Sequence, residues 1–178
     1  MFDAGKFKAL VHHVIARVDD PSRLGAVKLN KAVWFVDAEA YLRTGTTLTG
    51  ARYSKMPQGP VPKAMLPILR ELQAEGSIVV DTVDYYGRGK RQYRSLSEPP
   101  AGTFSDEELE YIHEITDIIA IHHTAASISE STHGAAWKLA EDGEDLPFHA
   151  VLADDLGPVT DADIEWAREM MTAFANAA

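Results

Sequence analysis

Apolar side chains recur at three- and four-residue steps through Phe2, Phe7, Leu10, Val11, Val14, Ile15 and Val18, which predicts a first helix over about 4 to 18. Asp19-Asp20-Pro21-Ser22 interrupts it, with Ser22 placed to cap a second helix that runs from about Ser22 or Arg23 to Arg43. In that second segment Leu24, Val27, Leu29, Val33, Trp34, Phe35, Val36, Ala38 and Tyr41 leave almost no polar face. A helix apolar nearly all round is expected at the centre of a fold. After Gly45 the run Thr46-Thr47-Leu48-Thr49-Gly50 reads as a turn and Ala51 to Met56 as a short extended segment. Pro57, Gly59, Pro60 and Pro62 then predict irregular chain until a third helix, about 61 to 75. That helix carries Met65, Ile68, Leu69 and Leu72, is cut by Pro67 and ends at Gly76.

The period then changes to two. Ile78 to Val83 and Arg91 to Leu96 predict a β-hairpin with Arg88, Lys90, Arg91 and Arg94 at its tip and second strand. Glu98-Pro99-Pro100-Ala101-Gly102 reads as a linker. Ser105 with Glu108 forms a capping box that opens a helix to about His122, with Leu109, Ile112, Ile115, Ile118 and Ile119 expected inward. Thr124 opens a further helix, Ala125 to about Thr132, and Gly143 to Phe148 reads as a turn and loop. Thr160 to Asp163 caps a last helix, about 160 to 176, with Ile164, Ala167, Met171 and Phe174 along one side. The fold class expected is mainly α (α+β): one compact multi-helix domain over 1–178 around a central buried helix, with one β-hairpin resembling a wing.

Composition narrows the chemistry. With no cysteine among 178 residues, disulfides, thiolate catalysis and thiolate zinc sites are excluded. No apolar run approaches the ~20 residues that cross a bilayer, and the charged, helical N-terminus is unlike a signal peptide. A bacterial-type cytoplasmic protein with no membrane contact is the expectation. The net charge of −10 is uneven: residues 1–100 hold 15 Lys and Arg against 10 Asp and Glu, whereas residues 101–178 hold 2 against 17. Such asymmetry fits a basic binding face on the first half, an acidic surface that meets a basic partner, or solubility alone.

Asp37 is the costly residue, because a carboxylate inside a buried helix needs a partner such as Lys31, Tyr53, Lys55 or a backbone N–H. The neighbours His12 and His13 point about 100° apart and cannot share a metal from one helix face; both read as surface or boundary residues. His113, His122 and His123 lack a ligand spacing, so no metal and no cofactor are expected. Ser127, Ser129, Ser131, Thr132 and His133 supply hydroxyls and a base, yet there is no Gly-x-Ser-x-Gly elbow. No catalytic set is read. His133 and Trp137, one helical turn apart, are expected to clasp the core.

Lys28 to Asp37, then Gly45 and Leu48-Thr49-Gly50, then Tyr53-Ser54-Lys55-Met56-Pro57-Gln58-Gly59-Pro60-Val61-Pro62, resemble the signature of the Panacea domain. This is the SocA-like antitoxin family, which includes phage-associated GepA-type proteins. Ile128 to His133, Trp137 and Gly143 to Pro147 resemble its second signature, so the resemblance runs over about 24 to 150. Two departures stand out: Ala32-Val33-Trp34-Phe35 replaces the more usual leucine pair and tyrosine, and Met56-Pro57-Gln58 replaces an aromatic before Gly-Pro-Val. The resemblance implies an antitoxin, not an enzyme, that binds a cognate toxin encoded next door; one branch of the family delivers its toxin to the Clp protease as an adaptor. Lys31, Tyr53, Lys55, Met56, Gln58 and His133 are the candidate partner contacts, and Asp37, Gly59, Pro60 and Trp137 the candidate structural residues. Two alternatives stay open. A winged-helix-like DNA-binding autoregulator would use the Arg88 to Arg94 hairpin, although nucleic acid is a poor match for an acidic chain, and a hydrolase of unknown substrate would use Asp37 with His133. Homo-oligomerisation is left open as well.

Overall fold

A computed structural model describes residues 1–149 apart from Tyr86; the predicted last helix, about 160 to 176, lies outside the described residues. The elements are α1 (Ala4–Arg17), α2 (Ala26–Thr44), β1 (Tyr53–Met56), β2 (Gly59–Pro62), α3 (Met65–Ala74), β3 (Ile78–Tyr85), β4 (Arg88–Ser95), α4 (Asp106–His122), α5 (Ala125–Glu130), α6 (Ala135–Leu139) and β5 (Asp145–Leu146). The helix-dominated α+β class is as expected, with α2 at the centre. Its buried face packs with α1 and α4, which bring Phe7, Leu10, Val14 and Ile15 and Ile112 and Ile119 into the core, and Leu69 and Leu72 of α3 join that core against α1.

Local signals place most boundaries. Asp3 caps α1 by accepting from the Lys6 N–H at 2.9 Å. The predicted capping box of α4 is formed, with Ser105 and Glu108 exchanging side-chain and backbone bonds. α3 ends in a Schellman turn, where the Ser77 N–H reaches the Leu72 carbonyl (2.9 Å) and the Gly76 N–H reaches Gln73 (3.0 Å). The β3–β4 hairpin pairs Ile78 with Ser95 through to Tyr85 with Arg88.

Several expectations are corrected. Ser22 does not cap α2; it sits in a 3₁₀ turn, Pro21–Arg23, capped by Asp20, and α2 begins one turn later behind Gly25. Pro67 does not cut α3, because it occupies the first turn, where its missing N–H has no helical acceptor to lose. His12 is buried rather than peripheral, its Nε2 2.8 Å from Ser95 Oγ and 3.1 Å from the Ser97 carbonyl. Ile118 faces outward at 43% exposure, while Tyr111 and Thr116 of α4 are buried instead.

The largest correction concerns Gly59 to Pro62. This stretch is the strand β2, antiparallel to β1, and Asp145–Leu146 adds β5 on the other side to give the order β2-β1-β5. Proline is tolerated because β2 is an edge. Lys63 N–H bonds the Arg52 carbonyl at 3.0 Å, so the alternation of the ladder leaves Pro60 and Pro62 at non-hydrogen-bonded positions opposite Lys55 and Tyr53. Asp145 pairs with both Arg52 and Lys63, which flank β1 and β2, and ties the three strands together.

Gly59 sits at φ +93°, and a Cβ there would collide with Lys31 Nζ and Thr132 Oγ1. Gly45 has φ +74° with open space around it. Gly59→Ala is expected to lose about 3 kcal/mol or more, combining left-handed strain with overpacking, and Gly45→Ala about 1 kcal/mol. Urea denaturation of both variants checks this; equal losses would show that the strand does not press on Lys31.

Candidate functional site

α2 carries three buried charges, Lys28, Lys31 and Asp37. Asp37 is 0% exposed, and its carboxylate is met by the loop that follows the helix. Thr49 donates its N–H to Oδ1 at 2.9 Å and its hydroxyl to Oδ2 at 2.7 Å. Tyr53 donates its hydroxyl to Oδ2 at 2.8 Å, with the Val33 carbonyl 3.2 Å away as a second acceptor. Burial raises the Asp37 pKa, and these donors pull it back down. Burial, then the neighbouring Asp37 charge, holds the Tyr53 pKa well above its ordinary value and keeps the phenol a donor. Asp37 therefore fastens the Thr49 loop and β1 to α2, through two of the partner types expected of it.

Around this pin, Trp34 meets Tyr53 edge-on at 4.9 Å and stacks on Phe148 at 4.5 Å. Phe148 also meets Tyr53 edge-on at 5.1 Å, so the chain beyond β5 is drawn back to α2.

The β1–β2 turn is locked from the other side. Ser129 Oγ donates to the Gln58 carbonyl (2.9 Å), and Trp137 Nε1 donates to the Met56 carbonyl (3.1 Å). Lys55 Nζ donates to the Ala140 carbonyl (2.9 Å) and lies 4.4 Å from the centre of the Trp137 ring. His133 stacks on that ring at 3.7 Å and 12°. The two therefore do not clasp the core as expected. They form a half-buried stack beside the turn.

Of the six candidate contacts, Met56 and Gln58 are exposed, and Lys55 and His133 are half-buried beside them. Lys31 and Tyr53 are each 1% exposed and offer a partner no surface. Lys31 instead lies under β2, its one hydrogen bond among the described residues a long 3.5 Å contact to the Pro60 carbonyl. Burial pushes its amine down to about 7. The Nε2 of His133 is buried without a hydrogen-bond partner among the described residues. Its pKa is lowered first by burial and then by Lys31. The hydrolase alternative loses its acid, because Asp37 has no exposed surface and both its oxygens are occupied.

The two resembling segments, 53–62 and 128–147, thus pack face to face. A family model described as antitoxin SocA-like, Panacea domain, matches residues 29–138. The chain belongs to that family. No curated protein and no solved structure matches it. The region matched to the Panacea model holds the Asp37 pin, the β1–β2 turn and the His133–Trp137 stack, and it ends within α6, short of β5.

This Panacea domain also carries a surface that the pattern of apolar residues did not reveal. Trp34, Phe35 and Leu42 of α2, Ile115 and Ile118 of α4, and Ile128 of α5 line an open groove of about 510 Å³. Thr132, which packs on Gly59, lines its end, so groove and turn are continuous. No helix among the described residues is long and apolar enough to cross a membrane.

The buried Lys31 predicts a pH signature. Its amine binds a proton less readily when folded (about 7) than at its ordinary 10.5, so its cost is full below about pH 7 and fades as pH rises toward 10.5. Lys31→Met is expected to be more stable than the parent by several kcal/mol at about pH 6, an advantage that disappears by about pH 10. Urea denaturation across that range checks it, and a difference independent of pH would contradict a buried ammonium.

Proposed function

We propose that this Panacea domain is a cytoplasmic antitoxin that neutralises a cognate toxin by direct contact, with no chemistry of its own. The contact face is the α2–α4 groove together with the β1–β2 turn. The groove is the observation that supports this reading. Single exposed apolar residues are ordinary, but here Leu42 (51% exposed) and Ile118 (43%) converge with Trp34, Phe35, Ile115 and Ile128 in one concavity.

Charge specifies the partner further. Glu39 lines the groove, and Glu114 lies one turn from Ile118 on α4, whose exposed residues also include Asp106, Glu107 and Glu110. A fitting toxin segment presents apolar side chains at helical spacing, flanked by Lys or Arg. Met56 and Gln58 at the turn, with Lys55, His133 and Trp137 behind them, extend the face beyond the groove. Covering the toxin's working surface is sufficient for neutralisation, so rescue is expected to persist in cells lacking Clp protease; rescue that needs Clp would assign the adaptor role instead.

Co-expression with the product of the neighbouring reading frame tests the reading. The parent chain is expected to restore growth. Leu42→Asp and Ile118→Asp are expected to abolish rescue while shifting stability by less than about 1 kcal/mol, since both sites are exposed. A harmless neighbour, or lethality unrelieved by the parent chain, would overturn the antitoxin reading; full rescue by both variants would overturn the groove as its surface.

A further inference from the structure

A second cavity, of about 610 Å³, opens between the 3₁₀ turn, the start of α2, the β3–β4 hairpin and the start of α5. Its lining contains Arg23, Lys28, Lys90 and Arg91, together with His123, and not one Asp or Glu. In a chain with a net charge of −10, that is a local reversal of sign. Lys28 is nine-tenths buried, and its ammonium donates to the Ala120 carbonyl at 3.0 Å, in the last turn of α4, an acceptor that offsets its charge only in part. Burial, then Lys90 and then Arg23, lowers its pKa, so these cations act on one another through the cavity. Lys90 donates to the Ser22 carbonyl at 2.6 Å and lies 5.0 Å from the Tyr85 ring centre, which draws the hairpin over the opening. One of the cations, Arg23, has a carboxylate partner, Asp20 at 3.4 Å.

The backbone adds to the same field. Gly25, Ala26 and Val27, the first turn of the 19-residue α2, line the cavity, no side chain caps that end, and no acid stands in its first turn. Like charges gathered in a concavity repel unless an anion joins them, and the size is that of a small-molecule site. Four cations and the positive end of a long helix match a ligand with three or four negative charges.

We infer that this cavity binds a di- or triphosphate group, held by Arg23, Lys28, Lys90 and Arg91 at the start of α2. Arg23 and Arg91 supply planar donor forks for phosphate oxygens. The site adjoins the proposed toxin-binding groove, with His123 lining both cavities, but its cations lie outside that groove and its test does not rest on the antitoxin reading.

Calorimetric titration of the whole chain with pyrophosphate and with ATP, each without divalent metal, tests the site. Saturable binding is expected, weakened about tenfold or more in the Arg23→Ala/Arg91→Ala double variant. Both arginines are exposed, so a circular-dichroism melt is expected to show that this variant stays folded. Tighter binding of ATP than of pyrophosphate would name a nucleotide as the source of the phosphates, and equal binding would name the phosphates alone; either supports the site. No heat from either probe up to about 1 mM, unchanged binding by a folded variant, or binding of duplex DNA without binding of ATP or pyrophosphate, would overturn it.

Discussion

The Asp37 carboxylate is the constraint on which the rest depends. An acid with no exposed surface, in the middle of the central helix, is tolerable only where donors converge on it. The Thr49 N–H, the Thr49 hydroxyl and the Tyr53 hydroxyl do so within 2.7 to 2.9 Å. Those contacts fix where β1 starts, and β1 fixes β2 and β5 on either side of it. β2 in turn closes over Lys31, and its turn carries Met56 and Gln58 to α5 and α6. A single expensive charge thereby sets the position of the whole signature region relative to α2. Burial keeps the pKa of Asp37 raised, so the arrangement trades stability for a defined loop position.

The same economy of buried charge recurs along α2. Lys28 ends on the Ala120 carbonyl, and Lys31 beneath the Pro60 carbonyl. Among the described residues neither lysine pairs with an acid, although Asp37 lies on the same helix. Each instead anchors the helix to a different neighbour, α4 for Lys28 and β2 for Lys31. The apolar circumference that makes α2 central leaves these three polar atoms as the features that set its register against its surroundings.

Much of this was legible in the residues. The helices from Ala4, Asp106 and Ala125 announce themselves by apolar period and capping side chains, and the β3–β4 hairpin by its change of period. Asp37 could be recognised as needing a partner, and Tyr53 was among those named. The β2 strand was hidden because two prolines in four residues argue against a ladder, and only the edge position and the phase of the hydrogen bonds admit them. β5 is two residues long, too short for any period to show. Ile118 was expected inward because α4 has apolar residues on more than one side; which of them the core takes is decided by packing against α1 and α2, not by spacing. Lys31 and Tyr53 shared the signature loops with Met56 and Gln58, and sequence proximity gave no means of separating the buried pair from the exposed one.

The most direct measurement is hydrogen–deuterium exchange of the chain alone and in complex with the protein encoded next door. Direct neutralisation through the groove and turn predicts slowed exchange in the second half of α2, around Phe35 to Leu42, in α4 from Ile115 to Ile121, and across Met56 to Gln58, with the β3–β4 hairpin unchanged. Protection confined to that hairpin or to α3, with α2 and α4 unaltered, would contradict it.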